Sequence, residues 1–119
     1  MSGGIATTGI APTNRIVEYW SVEAEYTAQQ TNVSVKGAPG AGFALRVTQV
    51  YIHIDGIVDV TLRQGTGDMK FNFYGQAAGD GVSAPGLVMR LAENTGLTIT
   101  TTAAIAVTLV CGGYTEKVN

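Results

Sequence analysis

The chain has 119 residues, 45% of them hydrophobic and only 13% charged, with a formal net charge of −2 and a single cysteine. The charged fraction is about half the usual quarter, and a pI of about 5.2 argues against a nucleic-acid binder, which needs a basic face to displace counterions. One cysteine excludes an internal disulfide and a thiolate zinc cage, and no apolar run reaches the roughly 18 residues of a membrane helix.

Residues 1–14 are expected to form an extended arm. Gly3, Gly4, Gly9 and Pro12 oppose helix, and no period is visible. Met1-Ser2-Gly3-Gly4 has neither a basic nor an apolar leader segment, so no secretion signal is expected. Ile5 and Ile10 are nevertheless too apolar for a solvated tail. Burying each contributes about 1.5–3 kcal/mol, against an ordering cost of about 1–2 kcal/mol per residue. The arm is therefore expected to order only where a partner adds backbone hydrogen bonds, as in strand addition to a sheet edge.

From Arg15 onward a single domain, 15–119, is expected. Ile16 to Trp20 and Asn32 to Val35 read as strands, with a weaker one around Ala24 to Tyr26. Gly37 to Gly42 is a loop. Phe43, Leu45 and Val47 then alternate with Ala44, Arg46 and Thr48, and the apolar phase shifts to Val50, Ile52 and Ile54. Such a shift within one strand predicts a β-bulge near Gln49. Asp55-Gly56 is a strong hairpin signal before Val58, Val60 and Leu62. After a turn at Gln64 to Asp68, Met69, Phe71 and Phe73 form another strand.

Gly75 to Gly86 reads as a loose loop, and Leu87 to Leu91 as a short strand. Asn94-Thr95-Gly96 turns into Leu97 to Thr100. The last run, Ile105 to Cys111, is apolar on both faces and predicts a buried central strand ending at Gly112-Gly113. About eight strands at regular spacing predict an all-β fold. The natural closure is an antiparallel β-sandwich of jelly-roll type.

Chemistry-bearing residues are sparse. His53, the only histidine, alternates away from Ile52 and Ile54, and no serine stands in a nucleophile-elbow context, so a surface or interface position is expected. Glu18, Glu23, Glu25, Asp55 and Asp59 read as solvated strand faces and turn residues. Gly65-Thr66-Gly67 and Gly40-Ala41-Gly42 lack the helix and lysine of a phosphate cradle. Asp80 is too isolated for calcium, and Asn32-Val33-Ser34 matches a glycosylation sequon without a secretion signal. Cys111 reads as a buried small hydrophobe. No catalytic residue, metal ligand or cofactor is expected.

Assembly fits this composition better than catalysis. Tyr19 and Trp20 are candidate anchors, because these residue types dominate interface hot spots. The two-sided last strand, with Val110 on its second face, calls for cover by a neighbouring subunit. With Ile5, Ile10 and Pro12 of the arm, these form the candidate interface set.

Two stretches carry a resemblance. Arg46-Val47-Thr48-Gln49-Val50-Tyr51-Ile52, and the run from Leu97 through the threonine-rich segment to Leu109 with Gly113-Tyr114, resemble small jelly-roll decoration (cement) and head-fibre proteins of tailed bacteriophages. The resemblance covers Val33 to Thr115. It implies that Leu97 to Leu109 forms the last hairpin of a trimeric jelly roll. It further implies a homotrimer made in the host cytoplasm and seated on the capsid exterior, at junctions of the major capsid protein, where it braces the shell. No nucleic acid or membrane partner is implied. A neck, tail or fibre-base protein would share the pattern. A carbohydrate-binding module would need exposed aromatics in a row, and Tyr51, Tyr74 and Trp20 share no recognisable strand face.

Overall fold

A computed structural model describes residues 15–118; the arm residues Ile5, Ile10 and Pro12 lie outside them. Eight strands follow in order: β1 (Ile16–Tyr26), β2 (Val33–Lys36), β3 (Phe43–Ile54), β4 (Val58–Gln64), β5 (Met69–Gly75), β6 (Gly81–Arg90), β7 (Leu97–Thr101) and β8 (Val107–Lys117). They form two four-stranded antiparallel sheets, β1-β8-β3-β6 and β2-β7-β4-β5. This interleaved order is the jelly roll, a sandwich whose inner faces bury alternate residues of every strand. Leu45, Val47, Val50, Ile52 and Ile54 of β3 meet Val58, Val60, Leu62, Leu97 and Ile99 of the second sheet in one core.

The phase shift in β3 is a bulge. Val47 faces Gly113 and Gln49 faces Gly112, so Thr48 is an extra residue against β8. The bulge reverses the alternation, and both apolar phases of β3 therefore reach the same core. Gln64 to Asp68 closes the β4–β5 hairpin, with Gly65 at φ 56° and the Gln64 amide donating to the Asp68 carbonyl at 3.0 Å. β8 is central, between β1 and β3, as its apolar content demands.

Other connections depart from expectation. Asp55-Gly56 does not form a hairpin, because β3 and β4 lie in different sheets. Ile54 and Val58 are both fully buried, and the chain must cross the end of the sandwich to place one on each inner face. Leu97 to Leu109 is likewise no hairpin: β7 and β8 also belong to different sheets. β1 is one continuous strand without a break before Ala24.

The predicted loop Gly75 to Gly86 is largely strand. Its loop part ends at Asp80, whose Oδ2 accepts the amides of Gln76 and Ala77 at 3.0 and 3.1 Å. A side chain at Gly81 would stand 2.7 Å from the Ile52 carbonyl, so glycine marks close pairing there. Gly112-Gly113 does not end β8, which continues to Lys117. Both glycines flank the bulge, and a Cβ on Gly113 would overlap the Arg46 carbonyl.

Candidate interaction face

The register of β1-β8-β3-β6 sorts its outward residues into rows. Tyr19 pairs with Tyr114, Ser21 with Gly112, Glu23 with Val110 and Glu25 with Thr108. Across β3 these rows continue through Gln49, Tyr51 and His53, and then to Pro85, Ser83 and Gly81 of β6. Tyr19 and Tyr114 meet edge to face, with ring centroids 6.2 Å apart at 63°. Two rows away, Val110, Tyr51, Ser83 and Pro85 with Gln49 line a half-open depression above Val50. In the row between these clusters the Gln49 side-chain amide lies over Gly112, 3.1 Å from where a Cβ would stand. The face thus offers an exposed aromatic pair at one end and an apolar depression two rows away.

The sequence candidates divide across this sheet. Tyr19 is 75% exposed, and Val110 is half-buried in the depression. Trp20, the next residue, points the other way: it pairs with Gly113 and packs against the core. Its ring lies 5.6 Å from Lys36 Nζ, and its Nε1 is enclosed without a hydrogen-bond partner. Tyr51, Tyr114 and Pro85 complete the face, and sequence reasoning did not bring them together. Alternation marks Tyr51 as outward, yet its nearness to Val110 depends on β8 lying beside β3.

Little among the described residues is arranged for bond chemistry. His53 Nδ1 stands 3.9 Å from Asp55 Oδ1, with both side chains well exposed. Among the described residues, no group of three His, Cys, Asp or Glu side chains converges as metal ligands. No helix long and apolar enough to cross a membrane occurs among them. Cys111 faces the core at 0% exposure, and burial pushes its thiol up to about 11. Such a thiol is inert rather than nucleophilic.

No protein-family model matches the chain, and no curated protein matches it in sequence. Solved structures share its fold. A chain in the acidic stable capsid structure of Helicobacter pylori bacteriophage KHP30 superposes with a TM-score of 0.59 at 10% identity, over 83% of this chain and 89% of that one. A chain of the Bacillus endospore appendages, a family of disulfide-linked pili, gives 0.54 at 19% identity, over 92% and 95%. A chain in the cyanophage Pam1 capsid asymmetric unit gives 0.48 at 14% identity, over 82% and 83%. At these identities the first two likenesses show a shared fold alone.

Proposed function

We propose that this protein is a structural virion component: a decoration protein that seats on a capsid shell as a homotrimer and braces it. The observation that carries this reading is the uncovered face of β1-β8-β3-β6, with Tyr19, Tyr114, Tyr51, Val110 and Pro85, on a fold similar to a phage capsid chain. Exposed tyrosines beside an apolar depression are the usual anchors of protein interfaces. Glu23 and Glu25 sit on the β1 side of this face, so they stay at its rim or meet basic groups of the partner when it is covered. The partner is then the major capsid protein on the outside of the shell, with no turnover and no cofactor.

The near-complete mutual coverage with the endospore appendage chain favours a second reading, a subunit of a fibre. Cysteine content weighs against a disulfide-linked version of it. A chain of such links needs two bonds per subunit, and this chain has one thiol, enclosed in the core.

Co-expression with the major capsid protein encoded nearest its gene tests the proposal. The protein should sediment with capsid-sized shells, and native mass spectrometry of the free protein at micromolar concentration should give a trimer of 12.4 kDa chains. Protein left wholly in the supernatant, or found only as monomer, would overturn it.

A further inference from the structure

Each sheet of a sandwich has two edges, and an edge with unpaired amides and carbonyls is a template for another strand. Three of the four edges here are blunted. β2 has only four residues and a register shift between Ser34 and Lys36. β5 carries Lys70, and its ladder with β4 shifts between Leu62 and Arg63. β6 contains Pro85 and Gly86 at φ 78°, and takes four steps from Pro85 to Met89 where β3 takes two. Proline and bulges are the ordinary means of closing an edge.

β1 has one such shift, at its very start between Ile16 and Glu18, and none beyond it. It runs 11 residues with no proline, glycine or lysine, and its register with β8 is unbroken from Glu18 to Tyr26. Among the described residues, no strand pairs with its other edge. We infer that this edge receives residues 1–14 of a second copy of the chain as an added strand, so that copies are linked arm to edge. The inference rests on the self-assembly part of the proposed function, not on shell binding.

Length, charge and turn chemistry select this occupant. An extended segment of 14 residues reaches about 46 Å at about 3.3 Å per residue, enough to follow all of β1. Residues 1–14 hold no charged side chain, whereas β1 carries Glu18, Glu23 and Glu25. Pairing two copies of β1 would bring like charges together, which an uncharged strand avoids.

The chain's own arm is poorly suited to fold back. Arg15 is fastened to Lys117 by two bonds, its carbonyl accepting the Lys117 amide at 2.8 Å and its Nε donating to the Lys117 carbonyl at 3.0 Å. A tight hairpin immediately before it would need positive φ at its central residues, and Pro12-Thr13 opposes that. Contacts of this head-to-tail kind close into a ring when the rotation allows, and otherwise continue as a fibre.

The test uses the full chain carrying Thr7→Cys and Ser21→Cys. Equal amounts of isotope-labelled and unlabelled protein are mixed, treated with a short thiol crosslinker and mapped as peptides. Cys111, buried with its thiol pushed up to about 11, stays silent. The expected product joins the two engineered positions in peptides of mixed isotope. Its yield should be about a hundredfold above that of a Thr7→Cys/Val88→Cys control on the blunted β6 edge, the gain of a held neighbour over a chance encounter. Links of a single isotope only would place the arm on its own β1 and overturn the inference. So would equal yields at the two edges, or no link. Shell co-sedimentation is read separately, so loss of arm exchange and loss of the virion reading are distinguishable.

Discussion

Arg46 and Glu116 form a nearly buried ion pair between β3 and β8, with Nη2 and Nε at 3.0 and 3.1 Å from Oε1 and side-chain exposures of 11% and 18%. The Arg46 Nη1 also donates to the Leu91 carbonyl at 2.9 Å. The guanidinium therefore joins the central strands to the end of β6, beside the bulge at Thr48.

Removing one partner leaves an uncompensated charge in an enclosed place. Glu116→Ala should lower stability by about 3 kcal/mol, seen as a melting temperature lower by about 10 °C. Replacing both residues, as Arg46→Met/Glu116→Leu, should give a protein more stable than either single variant, because no charge is stranded. Calorimetry checks this, and strictly additive losses would contradict it.

Glycine positions give a contrast within one molecule. Gly113→Ala should cost about 2–3 kcal/mol by overpacking, because its Cβ would overlap the Arg46 carbonyl at the bulge. Gly37→Ala meets nothing within 4 Å, and should be neutral or stabilising by about 0.4–1 kcal/mol through the unfolded chain. Denaturant titrations of both variants check the pair, and equal effects would contradict the account of the bulge.

The bulge was legible because a change of apolar phase in a long strand has one simple cause. The central place of β8 was legible from its apolar density. The crossings after Ile54 and Thr101 were not, since Asp55-Gly56 serves a sheet change as readily as a hairpin. Gly81 to Gly86 and Gly112-Gly113 read as loop or terminus because small residues mark both turns and tightly approached strands. On the face, residue type marks Tyr19 and Trp20 alike as anchors, and the structure turns Trp20 inward. The meeting of Tyr19 with Tyr114 needs the first and last strands to pair, which no local pattern encodes.

Alkaline pH should weaken the fold through Cys111. Burial raises its thiol from 9.0 to about 11, so between these values the folded state keeps a proton that the unfolded state releases. Stability is complete below about pH 9 and falls by about 1.4 kcal/mol per pH unit until the folded thiol itself titrates. Tyr26, raised by burial and then by Cys111, adds a loss in the same direction at higher pH. Cys111→Ala should flatten the slope between pH 9 and 11 in urea titrations, and an unchanged slope would contradict the assignment.

The central claim is that the outer face of β1-β8-β3-β6 holds the protein on its shell, and shell affinity of face variants tests it most directly. Tyr19→Ala/Tyr51→Ala removes two exposed rings from that face, while Tyr74→Ala removes one, 65% exposed, from β5 in the opposite sheet. Co-sedimentation titrations with purified shells should show the double variant at least about 30-fold weaker, the loss of one hot spot of about 2 kcal/mol. The same variant should keep its melting temperature within a few degrees, and Tyr74→Ala should bind unchanged. Equal binding by all three proteins, or loss with Tyr74→Ala alone, would contradict the account.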